Sequence, residues 1–277
     1  MVTSRIVVPL VALISVVLGG CGAVADVLAA RSDPADFFTA PTAQLLDAPR
    51  GDDEAQIRSL IAGGADINEV SDRGRRVGIT PVQWAVEFDR PTTVTTLLRV
   101  GADPHRVGTG GYNAVAYALM RDRPQALAAM LATDPSLVDA PDRLGGTVMH
   151  TAVRYRRDDG LALLIERGGN VDSIQPLAGR TPLFTAAGVL NIDHCLVLLR
   201  AGADGGHRDQ TGRTFLPALY RGDDSIRSAS FLRTRAQIET EMRTRGYPLD
   251  TGPWGISLLP DRVLTYCLAS REGEAKR

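Results

Sequence analysis

The sequence predicts an all-α solenoid, in which a helix–turn–helix unit recurs about six times over residues 41–250. Three observations predict it. A helix-capping residue stands at Thr80, Asn113, Thr147, Thr181 and Thr214, at steps of 33, 34, 34 and 33 residues. Behind each slot follows a second apolar run at i, i+3, i+4 spacing, such as Val94/Leu97/Leu98, Leu127/Met130/Leu131 and Cys195/Leu198/Leu199. Glycine turns close the units at Gly64, Gly101, Gly168 and Gly202.

Residues 180–204 show the unit most clearly. Thr181 is placed to cap a helix, and Pro182 suits the first helical position because its missing N–H would be orphaned there anyway. Leu183, Ala186 and Ala187 make a narrow apolar face. Asn191 is a residue able to turn the chain through a left-handed conformation, and Gly202 ends the second helix.

The earlier and later units vary on this theme. Unit one is degenerate, with Ala43 in the Thr slot and Asp47, Arg50, Asp52, Asp53 and Glu54 making it polar, as an end unit must be. Unit two is approached by an extended basic stretch, residues 72–78, carrying Arg73, Arg75 and Arg76. Unit three keeps a cap at Asn113 but has DPSLVDAPD in place of a glycine turn. Unit six begins at Thr214 and has some ten surplus residues, placed around residues 221–230, before a helix from about Phe231 to Arg245 that carries Ile238 and Met242. A closing half-unit and polar tail follow over residues 251–277.

The phase, the turns and the Thr-Pro-Leu-Phe-x-Ala run at Thr181 resemble the ankyrin repeat, with Phe184 where that family usually has histidine. The resemblance implies stacked units with projecting turns, a concave flank lined by the first helices, and a binding rather than catalytic role. It also implies that His150, in the usual histidine slot, bonds backbone in adjoining turns.

Composition sets bounds on function. The formal net charge is −1, and no basic run interleaved with aromatics occurs, so nucleic acid is not an expected partner. No nucleophile elbow or phosphate loop is present, and the scattered histidines have no ligand spacing, so neither metal nor cofactor is expected. Cys195 occupies a helix core slot and reads as a buried thiol, although a pairing with Cys267 stays open in an oxidising compartment.

Residues 1–20 read as a secretory signal: Arg5, then an apolar run from Ile6 to Leu18, then two glycines. Thirteen apolar residues are too few for a comfortable permanent span. Leu18-Gly19-Gly20-Cys21 resembles the bacterial lipoprotein box, which implies cleavage before a lipidated Cys21. Gly22 then favours the outer membrane, facing the periplasm. Residues 21–40 form a tether, in which Phe37 and Phe38 cover the exposed end of the first unit.

The residues four beyond each Thr slot, Trp84, Tyr117, Thr151, Thr185 and Ala218, turn about 200° from the core position two before them. The first two either form an exposed aromatic binding centre or lean onto neighbouring helices. Further candidates for protein binding are the turn residues Arg73, Arg76, His105, Arg106, Arg143, Gln175, His207 and Arg208. The expected function is a lipid-anchored, non-catalytic, monomeric module that recognises another protein, either as an immunity factor against an envelope-targeted toxin or as escort of a periplasmic enzyme. The alternatives are an envelope hydrolase with its site in the enlarged sixth unit, or a secreted effector.

Overall fold

In the computed structural model, helices come in pairs, one pair to each period of the sequence. The structure describes residues 33–47, 53–72, 78–221 and 223–249. The signal segment, Cys21, Arg73, Arg76, Cys267 and the closing half-unit lie outside the described residues. The chain divides into two compact bodies, up to Gly110 and from Gly111. The first holds α1 (Ala40–Asp47), α2 (Glu54–Ala62), α3 (Pro81–Glu87) and α4 (Pro91–Arg99). The second holds α5 (Ala114–Arg121), α6 (Pro124–Thr133), α7 (Val148–Arg154), α8 (Asp158–Glu166), α9 (Pro182–Gly188), α10 (Ile192–Arg200) and α11 (Ala229–Thr244). Among the described residues there is no strand, only isolated antiparallel bridges at Pro141–Thr147 and Gln175–Arg180.

The Thr slots start inner helices because their side chains satisfy N–H groups that the first turn leaves orphaned. Thr80 Oγ1 accepts from the Gln83 N–H at 3.2 Å, and Gln83 Oε1 accepts from the Thr80 N–H at 3.3 Å. Asn113 Oδ1 accepts from Ala116 N at 2.8 Å. His150 does the work of Gln83 in the fourth unit. Its Nδ1 accepts from Thr147 N at 3.1 Å, and its Nε2 lies 3.1 Å from the Arg180 carbonyl, which fixes the proton on Nε2. Burial holds its pKa below the usual histidine value, despite the hydrogen bond to the Arg180 carbonyl and nearby Asp142.

Two local expectations need correction. Thr181 precedes α9, but its hydroxyl makes no cap bond and is buried without a partner. Asn191 is not left-handed; its φ is −88°, and its Oδ1 caps α10 by accepting from His194 N. Leu190, one residue earlier, takes the left-handed turn at φ 52°. The same place in the other units is held by Asp89, Asp122 and Arg156, also at positive φ.

Glycines at 64, 101, 168 and 202 close second helices at φ 104°, 102°, 79° and 102°, where a Cβ would be strained. Unit three closes differently. Asp134 ends α6 in an extended conformation and caps a 3-10 turn, Pro135–Asp139, which buries Leu137. Successive closing turns are tied side chain to backbone. Asn68 Oδ1 accepts from Asp103 N, Asp139 Oδ1 from Asn170 N, and Asp172 Oδ1 from Asp204 N, at 2.8–2.9 Å.

The core follows the predicted slots. Val94, Leu97, Leu127, Met130, Leu161, Leu164, Leu198 and Leu199 are buried. Cys195 is a buried free thiol whose pKa burial raises, so it is packing rather than a nucleophile. In unit one, the only buried residue of α2 is Ile57, consistent with an end unit. In unit six the inner helix shrinks to a 3-10 turn, Leu216–Tyr220, and α11 lengthens to sixteen residues, burying Ile238 and Met242 and packing on α10.

Candidate functional site

Of the two alternatives for Trp84 and Tyr117, an exposed aromatic centre or packing onto neighbouring helices, the structure takes the buried one. Trp84 and Tyr117 are fully buried, and so is Thr151. The expectation from helix rotation fails because α3 has no outward side: all seven of its residues are buried. Phe88 packs on Trp84 with ring centroids 5.3 Å apart, Phe37 packs on Phe88 at 5.9 Å, and the Arg90 guanidinium lies 4.5 Å over the indole. Phe37 and Phe38 are therefore core, and Phe37 reaches the second unit as well as the first. Thr151 directs its hydroxyl to Asp142 Oδ2 at 3.4 Å.

The helix α9 differs. Phe184 and Thr185 are half-buried and Gly188 is exposed. The next residue in the Thr185 series, Ala218, is half-buried too. Candidates on turns also divide. His105 and Arg106 are exposed in the first body, with their backbone N–H groups bonded to Asp103. Arg143, Gln175, His207 and Arg208 lie on three consecutive turns of the second.

Those three turns form a stitched ridge. Gln175 Nε2 donates to the Leu144 carbonyl at 2.9 Å, and Gln210 Nε2 donates to the Pro176 carbonyl at 2.8 Å. Gln210 N donates to the Ala178 carbonyl at 3.1 Å, and His207 Nε2 to the Gly179 carbonyl at 2.7 Å. Asp142 supports the first turn, accepting from Leu144 N and Gly146 N while paired with Arg154. Asp209 supports the third, accepting from Thr211 and Arg213 while paired with Arg180 at 3.5 Å. Burial raises the Asp209 pKa, but the bonds from Thr211 and Arg213 outweigh it and hold the carboxyl below its usual value. The tips carry apolar side chains in water: Leu144 is 44% exposed, Ile174 53% and Leu177 86%. Arg143 lies 5.1 Å over Tyr112 and Arg208 bonds the Gly212 carbonyl at 2.7 Å, so both flank the ridge in fixed positions.

Beside the ridge opens a cleft of about 530 Å³. Its walls are Arg180, Phe184, Gly188, Asp209, Arg213, Thr214, Phe215, Pro217, Ala218, Tyr220 and Arg221. The departures from the repeat create it. Phe184, in place of histidine, cannot bond backbone; its ring meets His207 edge-on at 5.8 Å and forms a wall. Pro217, in the same slot one unit later, has no N–H to give Thr214. The Thr214 hydroxyl is consequently buried without a partner among the described residues, and the Thr181 hydroxyl is so too, a cost of about 1–3 kcal/mol each. Arg180 is partly neutralised by Asp209, whereas the Arg213 and Arg221 guanidinia have no partner among the described residues.

The surplus of unit six buttresses the far side. Arg235 is buried, pairs with Asp224 with Nη1 at 2.8 Å, and lies 4.5 Å over Tyr220. Tyr220 donates to Glu239; burial and that bond raise its pKa. These groups fix Tyr220 in place. Among the described residues that line the cleft there is no histidine, cysteine, lysine or glutamate.

Sequence reasoning found the ridge residues Arg143, Gln175, His207 and Arg208 but missed Phe184, Arg180, Arg213, Tyr220 and Arg221. Part of the signal was present: Phe184 and Pro217 stand apolar in the slot that Gln83 and His150 fill with a polar capping group, although Ala116 is apolar there too.

No protein-family model matches the chain. The mouse B-cell lymphoma 3 protein homolog is 29% identical over 178 residues, 63% of this chain and 37% of that protein. Protein PhlB of Serratia liquefaciens is 32% identical over 127 residues, 46% of this chain and 55% of that protein. The chain thus spans between about a third and about half the length of these relatives. Among solved structures, the ankyrin repeat domain of Bcl-3 superposes with a TM-score of 0.59 at 22% identity, covering 74% of this chain and 87% of that one. The fold is the ankyrin-repeat fold.

Proposed function

We propose that the chain is a non-catalytic protein-binding module, anchored in the bacterial cell envelope by lipid on Cys21 and engaging a partner protein through the turn ridge and cleft of its last repeats. The ridge carries this reading. Leu144, Ile174 and Leu177 stand exposed on turns whose backbones are locked together, so the apolar tips are held out at no further ordering cost. Clustered apolar side chains presented this way mark interaction surfaces. The anchor rests on the Leu18–Cys21 sequence, and a bacterial relative, PhlB, is in keeping with it. A partner delivered into the envelope, as a toxin is, and a resident enzyme under escort both suit a surface of this kind.

The test has two arms. Labelled palmitate is incorporated by the wild type and not by Cys21→Ala. Capture from envelope extract by the tagged chain yields a partner that Leu177→Asp combined with Ile174→Asp loses, with the melting temperature unchanged because both positions are exposed. Capture unaffected by the double change removes the ridge. A mixed culture in which deletion causes growth arrest selects immunity; a co-purifying periplasmic enzyme selects escort.

A further inference from the structure

We infer that the cleft between the fifth and sixth repeats receives an acidic segment of the partner protein, with a carboxylate held by Arg213 and Arg221 and an adjoining large apolar side chain laid against Phe184 and Tyr220. The inference rests on the protein-binding reading above and adds the chemistry of what is bound.

Four observations carry it. The lining sets three arginines against one aspartate, a net of two positive charges in a recess with apolar walls. Arg180 spends its charge on Asp209, whereas Arg213 and Arg221 are exposed and have no counter-charge among the described residues. Guanidinium is the side chain best matched to a carboxylate, through two parallel hydrogen bonds. The recess is also built at a cost, since the Thr181 and Thr214 hydroxyls are buried and unbonded among the described residues, Thr214 forming part of its wall opposite a proline that has no N–H to give it. Local rules broken side by side are expected where a surface serves binding.

The shape favours a peptide over a bare anion. A volume of about 530 Å³ exceeds what one phosphate fills and lies within the range of sites that enclose a few side chains. Phe184, Pro217 and Ala218, all partly open to water, would stay uncovered by an inorganic ion. The Asp209 carboxylate, held ionised on one wall, disfavours a doubly charged ligand.

The full chain, purified in detergent, is panned against a random-peptide display library beside R213Q/R221Q, whose melting temperature is expected to match the wild type. The wild-type pool is expected to be enriched in sequences with Asp or Glu within two positions of a large apolar residue. The best such peptide, synthesised, should bind about tenfold more weakly to the double variant. Amidated and free-acid versions separate a side-chain carboxylate from a chain terminus. A pool without acidic bias, or a bias the double variant retains, overturns the inference. So does arginine-dependent binding of inorganic phosphate or phosphatidylglycerol vesicles with no acidic peptide enriched. If R213Q/R221Q still captures the envelope partner in full, the acidic contact falls while the protein-binding reading stands. If the wild type captures nothing, it is the reading that falls.

Discussion

Repeats two and four and repeats five and six use the same two inner-helix slots in opposite ways, while repeat three, with Ala116 in the first slot, sides with the earlier units only in the second. Three beyond the Thr position, Gln83 and His150 close a capping box, whereas Phe184 and Pro217 cannot. Four beyond it, Trp84, Tyr117 and Thr151 are buried, whereas Thr185 and Ala218 are partly open to water. Where the local rules are kept, the inner helix belongs wholly to the core. In units five and six, aromatic walls gather at one cleft with hydroxyls and arginines that are unpaired among the described residues. On the function proposed above, stability and recognition are written into the same positions of different units.

The largest effect that tests this division is expected at Trp84. If it is core, Trp84→Ala should cost about 3–5 kcal/mol in urea unfolding and leave partner capture by the surviving folded fraction intact. Trp84→Phe should be far milder, because the indole Nε1 has no hydrogen-bond partner to lose. A Trp84→Ala chain that keeps its stability but loses its partner would reverse the division.

His150 is next. His150→Ala would orphan the Thr147 N–H and take one of two donors from the Arg180 carbonyl, which keeps the Gln175 N–H, and should cost about 1–3 kcal/mol. His150→Gln should recover part of that, since Gln83 does the same work two units earlier. The two should also differ with pH. Burial holds the folded pKa of His150 below the ordinary histidine value, so the unfolded chain takes up the proton first as pH falls. Stability from this group is complete above about pH 6.5 and is lost as pH drops through the folded value. Urea midpoints at pH 7.5 and 5.5 should therefore fall further apart for the wild type than for His150→Gln.

The period was legible because each unit needs the same cap, the same apolar slots and the same glycine, so errors in one unit are corrected by the next. The second-helix core at Leu97, Leu127, Leu164 and Leu198 followed directly. Burial of the inner helices was not legible from rotation alone. The 200° argument treats a helix as having a wet side, and α3 has none once Phe37, Phe88 and Arg90 close over it. The cleft was hidden for another reason. Arg180, Arg213 and Arg221 are up to 41 residues apart in the chain and belong to two different units. Phe184 and Pro217 marked the place only in part, since Ala116 breaks the same slot in the third unit.

Phe184→His asks whether the divergence is reversible. A histidine there can accept from the Thr181 N–H, as His150 does from Thr147, and should add about 1 kcal/mol of stability. It should also remove the aromatic wall and weaken partner binding. A variant that gains stability and binds as before would show that Phe184 is mere drift from the repeat.

The smallest effect concerns the left-handed turn that all four complete units share. Asp89, Asp122, Arg156 and Leu190 sit at φ of 53°, 58°, 55° and 52°. Aspartate tolerates this conformation because its short side chain can bond locally; leucine has no such compensation. Leu190→Asn should relieve backbone strain of about 1–2 kcal/mol and forfeit part of the leucine's apolar burial, the side chain being 38% exposed already. The net expected gain is about 0.5 kcal/mol, read from urea midpoints. Asp89→Asn should change little, since both residues accept the left-handed state. If Leu190→Asn loses stability instead, the leucine's packing at the mouth of the fifth repeat outweighs the strain, and this turn would belong with the core-building units rather than with the surface that opens beside it.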